Sequence, residues 1–166
     1  GAASPRSALA LAHACYDTVR EHTTAAYAAL ERGEPDEHLE ALVEACVLMS
    51  GLAFESGGLS VSHGMTRGLS AVPGIANALH GHQVAYGLLV QLVLEDRDDN
   101  FMADMYDFYR DAKLPLKLAD LGLDERSNSV VETIATVSAE AAHMKKFVKP
   151  ISADDIARAI TIIEAA

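Results

Sequence analysis

Tryptophan is absent from the 166 residues, and all aromatics together make up only 5%. Ala, Leu and Val must fill the interior instead, which favours tightly packed helices. Basic residues are scarce too: 13 Lys and Arg stand against 24 Asp and Glu, a formal net charge of −11. Such a surface repels phosphate backbones and anionic lipid headgroups, so neither nucleic acid nor a membrane is expected as a partner. No polybasic stripe offsets that charge locally. Cysteine is limited to Cys15 and Cys46. Both lie in apolar helical patterns and read as small buried hydrophobes. They form no CxxC and no disulfide framework, which suits a reducing cytosol, so a cytoplasmic location is expected. No apolar run reaches about 18 residues free of charge, and no signal-peptide layout opens the chain.

What the chain does have is recurrent helix punctuation. Half its residues are hydrophobic, enough for one compact domain with a substantial core. Ser4-Pro5 predicts the start of a helix running to about Leu30, with Leu9, Ala12, Tyr16 and Val19 on its inner face. Asp36 caps a second, in which Leu39, Leu42, Val43, Cys46, Val47 and Met49 form a broad apolar stripe. Gly57-Gly58 interrupts, and a third helix carries His63 and ends near Ser70. The run from His80 or Gly81 to Glu95 is apolar nearly all round, which predicts a central, buried helix. Further helices are expected from Phe101 to Lys113, from Ser129 to Met144, and after Ser152, where Asp155 completes a capping box. No strand pattern is long enough to count. The expected fold is all-α, a single domain of about seven helices over residues 1–166.

Seven histidines are the main chemical resource. His13, His22 and His38 sit on ordinary amphipathic helices and read as surface or half-buried groups. His143 falls at an expected helix end near Lys145 and Lys146, where a charge role at the C-terminus is the simpler reading. His63 and His80 differ, because each stands beside a helix break. Two neutral imidazoles on neighbouring elements suit zinc or ferrous iron, although spacing alone leaves chance coincidence open.

The surrounding sequence narrows the choice. Leu48-Met49-Ser50-Gly51-Leu52-Ala53-Phe54-Glu55-Ser56-Gly57-Gly58-Leu59, Ser62-His63, Gly68-Leu69-Ser70-Ala71-Val72-Pro73, Leu79-His80-Gly81 and Val84-Ala85-Tyr86-Gly87 resemble the glycerol dehydrogenase branch of the metal-dependent alcohol dehydrogenase superfamily. The likeness is dense from Ser50 to Glu95 and thinner elsewhere. It implies a dehydroquinate synthase-like C-terminal helical domain, the partner of an N-terminal α/β domain that binds NAD and is absent from this chain. It implies a divalent metal, zinc foremost and iron second, with His63 and His80 as ligands. It places Phe54 in the cleft beside a small polyol such as glycerol. The family's third ligand is an aspartate upstream of the first matched helix, so the chain reads as a piece of a longer protein, and an inactive one by itself. Relatives of this kind are commonly homo-oligomers, and apolar surface left uncovered favours self-association.

The resemblance implies a reaction in which the metal acidifies the substrate hydroxyl and NAD accepts a hydride. The chain departs from the family in reading His80-Gly81-His82-Gln83 where members commonly read His-Gly-Glu-Lys. His82 lies two positions past a ligand, on another helix face, and is set aside. Arg67 occupies the place where iron-dependent relatives carry a further histidine. The competing readings are a non-enzymatic helical module, derived from such an enzyme and serving assembly or regulation, and another metal-dependent alcohol dehydrogenase of the superfamily.

Overall fold

The computed structural model describes residues 4–123 and 127–166. All regular structure among them is helical. The helices are α1 (Arg6–Arg32), α2 (Glu37–Glu44), α3 (Ser50–Gly57), α4 (Val61–Leu69), α5 (His80–Leu94), α6 (Asp99–Asp111), α7 (Asn128–Ala139) and α8 (Ala153–Ala165). A π-helical turn, Ala45–Met49, joins α2 to α3 without a break, so the described residues form seven helical runs, as expected. Short 3-10 turns lie at Leu118–Leu121 and Ala142–Lys146. The chain divides into two compact units, Gly1–Gly58 and Leu59–Ala166.

In the first unit α1 packs against α2, the π turn and α3. Gly33 ends α1 in the left-handed region at φ 71°, where its N–H reaches the carbonyls of Ala29 and Leu30. Asp36 starts α2 by accepting the N–H groups of His38 and Leu39, both at 3.1 Å. The contact surface is made of small side chains: Ala8, Thr23, Ala26, Ala29 and Ala45 are the buried residues. The expected apolar stripes are only partly covered: Val19, Leu39, Leu42 and Met49 are half-buried. Leu9 and Tyr16 of α1 are exposed, as are Val43, Val47 and Leu48 in the second run. The physical reason is close approach through alanine, with the larger apolar groups turned outward. Cys15 is half-buried and Cys46 exposed, which corrects the reading of both as buried hydrophobes. Pro5 itself occupies the N-cap of α1, and Ser4 donates to the carbonyl of Gly57 instead of capping.

The second unit holds one continuous core. Val61, Met65, Leu69, Tyr86, Leu89, Val90, Ile134, Ile156, Ile160 and Ile163 are buried within it. As its composition predicts, α5 is central, packing against α4 and α8. Two glycines permit the closest helix contacts. A Cβ on Gly87 would lie 2.4 Å from the Ser62 carbonyl oxygen, and one on Gly68 would lie 2.2 Å from that of Ile134. The expected helix from Ser129 to Met144 is shorter than its pattern suggests. It ends at Ala139, and Ala141 is extended before the 3-10 turn begins. No glycine or proline stands between residues 128 and 149 to mark that break; buried Ala141 and Met144 hold the turn in the core instead.

Candidate metal centre

His63 is the third residue of α4, and His80 is the first of α5. Neither side chain's place is left to local helix geometry. The first N–H groups of a helix lack intrahelical acceptors, and that of Ser62 is taken by Oε1 of Gln91 on α5, at 3.1 Å. Gln91 in turn donates to Glu95 at 2.8 Å. With Gly87 admitting the Ser62 peptide alongside, α5 fixes the turn of α4 that carries His63. The other end is secured by Gln83, one of three buried polar residues among those described. Its Oε1 accepts from Ser70 at 2.9 Å, and its Nε2 donates to the carbonyls of Ile75 and Ala78. That side chain satisfies the loop between α4 and α5, and so determines where α5 and His80 begin.

The two imidazoles face each other with ring centroids 5.8 Å apart and planes at 58°. Burial, reinforced by the neighbouring His80 and His143 rings, holds the His63 pKa below the ordinary imidazole value. His63 is therefore neutral near pH 7 and presents a lone pair. Among the described residues, no hydrogen bond engages the ring nitrogens of His63, His80 or His143. Two imidazoles bound to one zinc at about 2.0–2.1 Å have centroids on the order of 5–6 Å apart. The pair fits a shared cation by donor type, protonation and separation. It is a two-donor set: no group of three or more His, Cys, Asp or Glu side chains among the described residues is arranged to hold a metal.

The structure adds a residue that sequence reasoning assigned elsewhere. His143 lies on the 3-10 turn after α7, and its ring centroid is 6.5 Å from that of His63. It is not a terminal charge on a long helix, because that helix ends at Ala139. Arg67 forms an ion pair with Glu140 at 3.4 Å, beside the same turn. His82 is half-buried, and the ring contacts of His63 are with His80 and His143. Phe54 lies in the first unit, on α3, and is 46% exposed. His22 and His38, also in the first unit, form a pair with their Nδ1 atoms 2.8 Å apart.

No protein-family profile matches the chain. Individual relatives do. The glycerol dehydrogenase of Thermotoga maritima is 38% identical over 129 residues, covering 78% of this chain and 35% of its own length. The glycolaldehyde reductase of Halobacterium salinarum is 35% identical over 150 residues, covering 89% of this chain and 41% of its own. The crystal structure of glycerol dehydrogenase from Schizosaccharomyces pombe matches 98% of this chain with a TM-score of 0.92 and 31% identity, and 42% of that chain is covered. A probable glycerol dehydrogenase from Sinorhizobium meliloti matches with a TM-score of 0.93, 30% identity, and 98% and 47% coverage. The chain thus spans 35–41% of the curated relatives' length, and the matched part is their C-terminal portion.

Proposed function

We propose that this chain, a homologue of the C-terminal portion of glycerol dehydrogenases, is the metal-binding half of an NAD-dependent polyol dehydrogenase. The observation that carries this reading is the facing pair His63 and His80, held 5.8 Å apart by side chains of α5. The ligands are assigned as His63 and His80, with zinc as the metal and iron as the alternative. A divalent cation bound there supplies Lewis acidity, which makes a substrate hydroxyl easier to deprotonate.

The chain's own residues supply the framework for that chemistry. Gln91 and Gly87 orient His63, and Gln83 orients His80. Burial keeps His63 neutral and able to donate its lone pair. Family resemblance alone assigns Phe54 to the apolar wall of a polyol cleft. Every regular element among the described residues is a helix, so they contain no strand-turn-helix unit for a dinucleotide. In this reading NAD is held by an N-terminal domain, which also provides the third ligand. The substrate class is a small polyol such as glycerol, and the location is cytoplasmic. Exposed Val43, Val47, Leu48 and Leu52, close together in sequence, support self-association into a homo-oligomer.

The test is made on the full-length protein. It is expected to retain one divalent ion per subunit and to oxidise glycerol with NAD. His63→Ala and His80→Ala are each expected to lower both metal content and turnover by roughly 100-fold or more, since loss of a mere supporting partner already costs about 10–100-fold. A wild-type protein without bound divalent metal, or without NAD-linked polyol oxidation, would refute the reading.

A further inference from the structure

The His143 turn is fastened to the helix that carries His63. Met144 is buried against Gly64, so closely that a Cβ there would lie 2.8 Å from the methionine Cε. Ser138, at the end of α7, donates to the Met65 carbonyl at 3.4 Å, and Arg67 pairs with Glu140. Within the turn, the N–H of Ala141 reaches the Ser138 carbonyl at 2.9 Å, and that of Met144 reaches the Ala141 carbonyl at 3.0 Å. These contacts attach to α4 on the turns that follow His63. The turn has two buried residues, Ala141 and Met144, flanking an exposed His143. An imidazole with no hydrogen-bond partner among the described residues is thus held at a set place beside the candidate centre.

Its distance decides what it can do. At 6.5 Å from the His63 centroid, the His143 ring lies farther out than His80, and no three-donor metal set forms. A three-carbon polyol has its terminal oxygens roughly 5 Å apart, since carbon–carbon bonds are near 1.5 Å, so one held at the His63–His80 pair can present a further hydroxyl towards a ring at that distance. We propose that His143 is a substrate-binding residue that hydrogen-bonds the terminal polyol hydroxyl not held at the His63–His80 centre. It thereby selects triols over diols. This rests on the polyol dehydrogenase reading and deepens it.

The experiment compares glycerol with propane-1,2-diol, which lacks the third hydroxyl, on the full-length protein and its His143→Ala and His143→Asn variants. One uncharged hydrogen bond is worth about 0.5–1.5 kcal/mol, which is roughly 2- to 10-fold. His143→Ala is expected to lower kcat/KM for glycerol by about 5- to 10-fold, mainly through KM, and that for the diol by less than about 2-fold. His143→Asn, which keeps a donor and an acceptor, is expected to recover part of the glycerol preference. Metal content and thermal midpoint are expected to stay at the wild-type level. Equal losses on both substrates, or loss of metal in His143→Ala, would overturn the assignment while leaving the polyol reading intact. A wild-type protein inactive on both substrates would overturn both.

Discussion

The two units each contain a facing pair of histidines, and the pairs behave oppositely. In the first unit His22 and His38 close on each other through a 2.8 Å hydrogen bond, one ring donating to the other. In the second, His63 and His80 stand 5.8 Å apart with no bond between them. In the first pair the two Nδ1 atoms are used on each other. The second leaves its ring nitrogens without hydrogen bonds among the described residues, on a well-packed frame, which suits cation binding. The frames differ in the same sense. Around His22 and His38 the fully buried contacts are alanines and Thr23, while Leu9, Leu30, Val43 and Val47 are exposed. Around His63 and His80 the helices meet through a dense core, and the side chains of buried Gln83 and half-buried Gln91 settle the backbone at their ends. Residues that resist closing on one another must be held apart, and that takes the better-packed unit.

The contrast in packing gives the largest expected effect. Gly68→Ala places a methyl 2.2 Å from the Ile134 carbonyl oxygen and from Ser138 Oγ. Backbone cannot yield cheaply there, so urea denaturation is expected to show a loss of about 3 kcal/mol, the upper end of ordinary overpacking. Gly51→Ala in α3 meets nothing within 4 Å. It is expected to raise stability by roughly 0.5–1 kcal/mol through helix propensity. If both substitutions cost the same, the units do not differ in packing as described.

A smaller effect separates the histidine pairs. His22→Ala leaves the His38 nitrogen without its partner, at an expected cost of about 1 kcal/mol. The same variant is expected to leave metal content and glycerol turnover within about 2-fold of wild type. Loss of metal in His22→Ala would assign that pair to the metal chemistry and break the comparison.

The smallest effect is a pH dependence. The pKa of His63 is lowered in the folded state, chiefly by burial and then by His80 and His143. The unfolded chain therefore takes up this proton first, near the ordinary value of about 6.5. Folded stability from this group is complete above that value. It declines as pH falls from there towards the lowered folded pKa. In metal-free chain, the fall in thermal midpoint between about pH 7.5 and 5.5 is expected to be less steep in His63→Gln than in wild type. An identical acid slope in both would show that His63 is not desolvated.

Much of the fold was legible locally. Asp36 and Ser152 cap the helices they were expected to cap, and the uniformly apolar run from His80 is the buried centre of its unit. Other local readings failed, because periodicity says that a helix face is apolar without saying what covers it, and because no breaker residue marks every helix end. The stripe through Val43 and Val47 faces outward. The pattern from Ser129 runs on past Ala139, although the helix stops there. In the candidate centre, His63 and His80 stood out through family resemblance rather than spacing, and His143 did not stand out at all.

The sequence by itself determined the all-helical class, most helix ends and the histidines that resemble metal ligands. These follow from signals within a few residues of each other: caps, breakers and the i, i+3 and i+4 period. Tertiary structure alone decided which histidines meet. His22 bonds His38 across 16 positions. His63 faces His80 from another helix and His143 from a turn 80 positions away. Contacts of that range depend on how helices cross, and here the crossings depend on where glycine removes a side chain and a buried glutamine supplies one.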